Sequence, residues 1–255
     1  MITKLIVCIV AGLGAGIGTG FAGLSAAAVI SPMLITFLGF EPYEAVGIAL
    51  ASDVLASAVS AYTYGKHKNI DIKNGLVMLV TVLLFTLFGS FIASKVPGAT
   101  MGNLSVFMTF LLGIKFIVKP VMTTKEVQES KTPRQKFIQS LLSGVVIGFI
   151  CGFIGAGGGM MMLLILTSIL GYELKTAVGT SVFIMTFTAF TGAASHFAIG
   201  GLPDLSAFIL CILATLAGAQ AAAKIANKAD AKTLNRMTGI VLAALGAVMI
   251  AVKLL

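Results

Sequence analysis

The sequence predicts an all-α polytopic membrane protein made of two inverted repeats, each with a broken re-entrant helix and three transmembrane helices. Composition is the first of three observations behind this prediction. The 255 residues are 58% hydrophobic, only 10% are charged, and mean hydropathy is +1.07, whereas soluble domains carry about a quarter charged residues. The second observation is an internal repeat, and the third is the distribution of Lys and Arg between the apolar stretches.

The repeat has a spacing of 132 residues. Residues 20–23 (Gly-Phe-Ala-Gly) recur at 152–155 as Gly-Phe-Ile-Gly, and residues 38–41 (Leu-Gly-Phe-Glu) recur at 170–173 as Leu-Gly-Tyr-Glu. Motifs that recur in order at one spacing indicate a duplication. We therefore predict three segments: a first membrane repeat at 1–119, a polar linker at 120–136 and a second membrane repeat at 137–255.

The first apolar stretch of each repeat, at 5–38 and at 137–170, is too long for one crossing. As a single helix, 34 residues would extend about 51 Å, against a hydrocarbon core of about 30 Å. Each of these stretches also contains a cluster of glycines. The sequence therefore predicts a break inside each long stretch.

Loop charge favours a re-entrant arrangement of these two stretches. If each one returns to its starting side, 14 of the 17 Lys and Arg residues lie on one side, compared with 11 if every stretch crosses once. Cytoplasmic loops collect basic residues, which predicts that the 120–136 linker is cytoplasmic and both termini are outside. An odd number of crossings per repeat inverts the second repeat. Broken helices that cross in two offset pieces are the alternative.

Composition also limits the partners. The net charge of +8 comes from basic residues that cluster in short segments between the apolar runs. This clustering is typical of the cytoplasmic loops of membrane proteins, so we predict a lipid bilayer partner and no nucleic acid. The three cysteines lie in apolar runs without metal-ligand spacing, and we predict no metal and no cofactor. Phosphate-loop and nucleophile-elbow motifs are missing, which argues against ATP-driven transport and against an enzyme. A homodimer is left open.

The two glycine-rich breaks are the predicted binding site. A helix that starts after a break directs free N–H groups and a partial positive charge at a ligand, so we predict a small anion near the midplane. Tight helix packing is the alternative explanation for small residues. The predicted substrate-binding residues at the breaks are Gly23, Ser25, Gly155, Gly157, Gly158 and Gly159.

Four further residues are candidates. Thr180 and Ser181 offer hydroxyls at the start of the next helix, although such hydroxyls often bond to the preceding turn. Asp53 is the only acidic residue well within an apolar run, so it could carry a coupling proton or bind a cation, or be a packing partner. His196 ends an apolar run and can titrate near neutral pH, but backbone bonding is the simpler explanation.

The motifs at 152–159, 170–171 and 177–181, followed by Asp204, resemble the TauE/SafE family of sulfite exporters, also called TSUP permeases. The resemblance implies export or uptake of sulfite, sulfoacetate, thiosulfate or related anions across a bacterial plasma membrane. The first repeat departs from the pattern, with Ser-Ala-Ala at 25–27 and with Asp53.

Two other classes of function remain open. A non-transporting membrane scaffold would have its glycine breaks packed shut. An intramembrane enzyme would need a catalytic pair, for which Asp53 and His196 are the candidates.

Overall fold

The computed structural model describes residues 2–93, 110–111, 113–122, 132–154 and 158–254. All regular structure in these ranges is helical, with a short helical segment at 113–118. The longer helices are α1 (Ile2–Ala22), α2 (Ala27–Leu38), α3 (Pro42–Lys66), α4 (Ile72–Ala93), α5 (Pro133–Ile154), α6 (Gly158–Ser168), α7 (Leu174–Gly200), α8 (Leu205–Lys228) and α9 (Ala231–Leu254).

Six of these helices are long and apolar enough to cross a bilayer, namely α1, α3, α4, α7, α8 and α9. Large apolar side chains such as Leu55, Leu84 and Leu213 are exposed on their outer faces, where a lipid environment suits them. The prediction of an all-helical polytopic membrane protein is confirmed. By contrast, the 12 residues of α2 and the 11 of α6 extend only about 16–18 Å, which is shorter than the hydrocarbon core.

The first long stretch is broken at residues 23–26, between α1 and α2. Gly23 has φ +60°, a conformation that glycine adopts without steric cost. The hydroxyl of Thr19 donates to the Leu24 carbonyl oxygen at 2.7 Å and fixes the turn. The break therefore follows the glycine run instead of interrupting it, because α1 continues unbroken through Gly12 and Gly20.

The second long stretch divides into two helices: α5 ends at Ile154 and α6 begins at Gly158. Gly155 and Gly157, two of the predicted site residues, lie outside the described residues. Helix α5 begins at Pro133, inside the predicted 120–136 linker. Proline at the first position of a helix is favourable because its missing N–H would have no partner there.

The glycines of α1 serve as a packing surface for α8. A Cβ atom added to Gly12 would lie 2.7 Å from Ala214 Cβ, and one added to Gly20 would lie 2.6 Å from Ala222 Cβ. Such distances are too short for any side chain, so the two backbones are in close contact. Both residue numbers rise together, which makes α1 and α8 parallel. For these glycines, tight helix packing is the correct interpretation.

Helices α4 and α5 pack in the same way. A Cβ atom on Gly144 would lie 2.9 Å from the Met78 carbonyl oxygen, and one on Gly148 would lie 2.6 Å from that of Val82. These two helices are therefore also parallel and begin at the same end of the bundle. Helices α3 and α7 are antiparallel instead, since Gly47 lies near His196 and Gly179 near Tyr64.

The bundle has two distinct ends. The cavity end comprises residues 2–4, 38–44 and 200–205, and the basic end comprises residues 66–72, 119–122, 168–175 and 227–232. Lys4 Nζ lies 2.6 Å from an Asp204 oxygen at the cavity end, and Lys175 Nζ donates to the Asn227 carbonyl at the basic end. Helix α1 begins and α2 ends at the cavity end, whereas α5 begins and α6 ends at the basic end.

Candidate functional site

Asp53 lies in the middle of α3 and is only 1% exposed. The hydroxyl of Ser25 donates to its Oδ2 at 2.7 Å, and the hydroxyl of Ser57 donates to its Oδ1 at 2.8 Å. The backbone N–H of Ala26 faces the same carboxylate. Three donors thus surround a carboxylate in the interior of a membrane protein, where an unsatisfied charge would be costly.

Local structure explains why these donors converge. Ser57 is one turn after Asp53, and residues four apart share a helix face. Ala26 is the N-cap residue of α2 and makes no side-chain cap hydrogen bond, although the first amides of a helix need acceptors. The positive end of the α2 dipole also favours an anion. Asp53 therefore provides, from α3, the acidic cap that α2 lacks.

The start of α6 meets this break directly. Gly159 contacts the Gly23 carbonyl oxygen, and a Cβ atom added to it would lie 3.0 Å from the Ser25 nitrogen and 2.8 Å from Met185 Sδ. The Ser181 hydroxyl donates to the Gly23 carbonyl at 3.4 Å. The described edge of the second break is therefore in contact with the first break, and Gly158 is the adjoining residue at the start of α6.

The structure separates the remaining candidates from this cluster. The Thr180 hydroxyl accepts a hydrogen bond from the Asp71 amide at 3.1 Å, at the basic end. His196 stacks on Tyr43 at a ring-centroid distance of 4.3 Å, at the cavity end. His196 packs beside Gly47, which is six residues, or about 9 Å of helix rise, from Asp53. Asp53 and His196 therefore do not form a catalytic pair.

A cavity of about 290 Å³ opens at the cavity end. It is lined by Glu41, Tyr43, Glu44, Gly47, His196, Phe197, Gly201, Leu202 and Pro203. The Nδ1 of His196 lies 2.9 Å from the Gly192 carbonyl oxygen, as the backbone-bonding interpretation expected.

The basic end is filled by polar side chains instead. Asn69 Nδ2 donates to Asn227 Oδ1 at 2.7 Å, and the Tyr172 hydroxyl donates to Asp71 Oδ2 at 3.0 Å. Burial, together with the negative charge of Asp71, raises the pKa of Tyr172, so its hydroxyl stays protonated and can donate. Asn69 is 5% exposed and Tyr172 is 3% exposed. Among the described residues, these side chains form a buried hydrogen-bonded network at this end.

Residues 8–249 match the family described as sulfite exporter TauE/SafE. The chain belongs to the TauE/SafE family. It is 26% identical to the probable membrane transporter protein YunE of Bacillus subtilis, over 95% of this chain and 96% of that protein. It is also 23% identical to the B. subtilis probable membrane transporter protein YdhB, over 83% and 86% of the two chains. A probable membrane transporter protein of Methanocaldococcus jannaschii is 25% identical, over 92% and 88%.

These matches identify a multi-pass membrane transporter, which confirms the predicted family and the prediction that the chain is not an enzyme. Within the described ranges of this TauE/SafE protein, no three His, Cys, Asp or Glu side chains are grouped so that they could hold a metal ion.

Sequence reasoning did not identify several residues that shape the TauE/SafE site. Ser57 had a usable signal, because a hydroxyl four residues after a buried carboxylate can donate to it on the same helix face. Asn69 and Asn227 are 158 residues apart, and nothing in the repeat pattern pairs them.

Proposed function

We propose that this TauE/SafE protein transports a small sulfur-containing anion, such as sulfite, sulfoacetate or a related organosulfonate, across a bacterial plasma membrane. One observation carries the proposal: the interior break gathers hydrogen-bond donors around a buried carboxyl group. Asp53 is buried there, accepts hydrogen bonds from two hydroxyls and faces a backbone amide. An oxyanion of a substrate requires the same kind of donors.

The proposed donors are neutral groups. Both arginines of the sequence, Arg134 and Arg236, are near the starts of α5 and α9, and both side chains are exposed. Backbone N–H groups at the starts of α2 and α6, with the hydroxyls of Ser25 and Ser181, would therefore bind the anion. Gly23, Gly155, Gly157, Gly158 and Gly159 would allow backbone and anion to approach closely. We assign Thr180 to the substrate path toward the basic end and His196 to the substrate path toward the cavity end.

A transport assay in proteoliposomes tests this function. Efflux of sulfite, sulfoacetate, thiosulfate and sulfate should reveal at least one transported sulfur anion. Gly159→Ala should abolish that transport, because its Cβ atom would collide with the Gly23 carbonyl and Met185. Gly14→Ala is the matched control, since its Cβ atom would lie at an ordinary 3.7 Å from Leu245.

Other variants grade the expected loss. Gly158→Val should also abolish transport, whereas Ser25→Ala should reduce affinity by about tenfold at most, the worth of one neutral hydrogen bond. A folded protein that transports no anion of the panel would favour the membrane scaffold. Normal transport by Gly159→Ala would remove the breaks from the site.

We further propose that residues 1–119 and 137–255 are inverted repeats, with the linker at 120–136 in the cytoplasm and both termini outside. Support comes from the two helix pairs that contain a short helix. Helix α1 begins and α2 ends at the cavity end, whereas α5 begins and α6 ends at the basic end. The basic residues Lys66, Lys68, Lys175 and Lys228 are at the basic end, in agreement with the positive-inside rule.

Cysteine labelling tests this orientation in a background in which Cys8, Cys151 and Cys211 are replaced by alanine. Leu202→Cys, at a position that is 97% exposed at the cavity end, should react with a membrane-impermeant maleimide in intact cells. Met122→Cys, at a position that is 60% exposed at the basic end, should react only after permeabilisation. The opposite pattern would reverse the orientation, and labelling of both from outside would contradict the topology.

A further inference from the structure

We propose that Asp53 is a resident anion that competes with the substrate for the start of α2, and that its protonation admits the substrate. One proton would then accompany each anion. This inference rests on the proposed transport function and specifies how the same site is regulated. The inference rests on the hydrogen bonds around Asp53 and on the residue at the equivalent position of the second half.

The carboxylate of Asp53 occupies the donors that a substrate anion would need. Ser25 donates to one oxygen and Ser57 to the other, at 2.7 and 2.8 Å, while the Ala26 amide at the start of α2 also faces the carboxylate. Two negative groups cannot share these donors, because like charges repel strongly at such distances in a site without bulk water. Ionised Asp53 and a bound anion therefore exclude each other.

Protonation changes this competition. A proton on an Asp53 oxygen makes the side chain neutral, so the positive end of α2 no longer attracts it and that oxygen becomes a donor. The amide of Ala26 and the hydroxyl of Ser25 are then free to bind a substrate anion. When the anion leaves, the side chain loses its proton and caps α2 again. The proton is therefore bound whenever the anion is bound, which is symport.

Asp53 is the titrating group of this cluster within the described residues. Its partners on α2 and α3 are hydroxyls and a backbone amide, and the neighbouring residues from α6 and α7 are Gly159, Ser181 and Met185. None of these side chains ionises in the range where a carboxylate does. Proton binding that is linked to the anion can therefore be assigned to Asp53.

A row of buried hydroxyls leads from Asp53 toward the basic end. Ser57, Ser60 and Tyr64 follow at successive turns of the same face of α3, and all three are 0% exposed. Ser60 Oγ has no hydrogen-bond partner among the described residues, and the Tyr64 hydroxyl donates to the Gly20 carbonyl oxygen at 2.9 Å. In the proposed mechanism, the proton moves along this face of α3.

The second half has no equivalent competitor. The residue 132 positions after Asp53 is Met185, whose sulfur lies 3.6 Å from the Ser181 hydroxyl. A thioether carries no charge and cannot occupy an anion position. The stoichiometry should therefore be one proton for each anion.

Isothermal titration calorimetry of sulfoacetate binding to the purified protein in lipid nanodiscs tests the proposal. Titrations in two buffers with different ionisation enthalpies count the protons taken up, and both acidic groups of sulfoacetate remain ionised near neutral pH. Wild-type protein should take up one proton per anion, and its affinity should fall about tenfold per pH unit on the alkaline side. Asp53→Asn should take up none and bind with an affinity that does not depend on pH.

Asp204→Asn is the matched control, because Asp204 caps α8 at the surface and its variant should still take up one proton. Ser57→Ala keeps the carboxylate but removes one donor, so proton uptake should persist and its profile should move to higher pH. If Asp53→Asn does not fold, Ser57→Ala still tests the proposal.

The outcomes are distinguishable. Binding without proton uptake by the wild type, or persistent uptake by folded Asp53→Asn, would overturn the competition while leaving anion transport intact. An unchanged pH profile in Ser57→Ala would also contradict it. If the folded wild type and Asp53→Asn bind no sulfoacetate, and the efflux panel shows no transported anion, the proposed function fails and this inference fails with it.

Discussion

The two ends of the α3–α7 pair differ although they carry the same Ala-Val-Gly motif. At the cavity end, a Cβ atom on Gly47 would lie 3.1 Å from the Phe197 ring and 3.3 Å from His196 Cβ, beside the 290 Å³ cavity. At the basic end, Gly179 contacts the backbone carbonyl of Asn69, and its Cβ atom would lie 2.9 Å from Tyr64 Cβ. Within the described residues, one end borders a cavity and the other is tightly packed.

One pair of residues explains much of this difference. Asn69 fills the basic end and donates to Asn227, whereas the residue 132 positions later is Gly201, which has φ +77° and no atom within 4 Å of a Cβ position. A side chain is thus present at one end and missing at the other. A transporter must expose its interior to each side of the membrane, so we expect the network at the basic end to be the barrier that opens during transport.

Locking the basic end should have the largest effect. In a cysteine-free background, Asn69→Cys and Asn227→Cys joined by a short bis-methanethiosulfonate, which attaches through reducible disulfides, should reduce transport to background, because the barrier could no longer open. Reduction should restore it. Proteoliposome transport before and after reduction measures the effect, and each single-cysteine variant serves as a control. Full transport in the cross-linked protein would show that the basic end does not move.

Adding a methyl group at both glycines compares the two ends by the same chemical change. Gly179→Ala should reduce the free energy of unfolding by about 1–3 kcal/mol, because its neighbour is backbone that cannot rotate away. Gly47→Ala should change it by less than about 0.5 kcal/mol, because a ring and a helix surface can adjust. Thermal melting in detergent measures both, and equal losses would mean that the two ends are packed alike.

Removing one hydroxyl at each end gives a contrast of similar size. Tyr172→Phe at the basic end should cost about 1.5–3 kcal/mol, because the buried hydroxyl donates to the Asp71 carboxylate and bonds to charged groups are the stronger ones. Tyr43→Phe at the cavity end should be close to neutral, since Tyr43 is 43% exposed. A larger loss for Tyr43→Phe in the same melting assay would contradict the assignment of the barrier.

The smallest effect should come from the ion pair at the cavity end. Hydrogen bonds from Lys4, the Ala207 amide and Ser206 lower the pKa of Asp204, so its stabilising contribution is present above the ordinary carboxyl pKa and is lost as pH falls through the lowered value. Lys4→Met should cost at most about 1 kcal/mol near neutral pH, because the pair is partly exposed. Wild type and Lys4→Met should differ in melting temperature at neutral pH and melt at the same temperature at strongly acidic pH. A difference that persists at acidic pH would refute the ion-pair explanation.

The breaks and the buried acid were predictable for simple physical reasons. Residues 5–38 exceed the bilayer thickness, and a lone carboxylate at Asp53 stands out in an apolar run. The role of the α1 glycines was not predictable, because Gly12 or Gly20 looks the same whether a helix breaks there or packs there. Their partners on α8 are about 200 residues away, and a single sequence does not contain that pairing.

The detail of the site depended on the same kind of distant contact. Pattern alone placed Ser25 at the first break and Ser181 at the start of the next helix, but it could not show that the hydroxyl of Ser25 already donates to Asp53. It also grouped Thr180 with Ser181, although consecutive residues on a helix point in different directions and Thr180 bonds at the basic end.

The close contact between α1 and α8 has a consequence for how the chain is made. Cys8 and Cys211, which touch across it, are 203 residues apart, so α1 enters the membrane long before α8 has been synthesised. Until then, the glycine stripe of α1 has no backbone to pack against and faces lipid or the insertion machinery. The α1–α8 contact can form only when most of the protein has left the ribosome, and a truncation before residue 205 would leave the glycine surface of α1 without its partner.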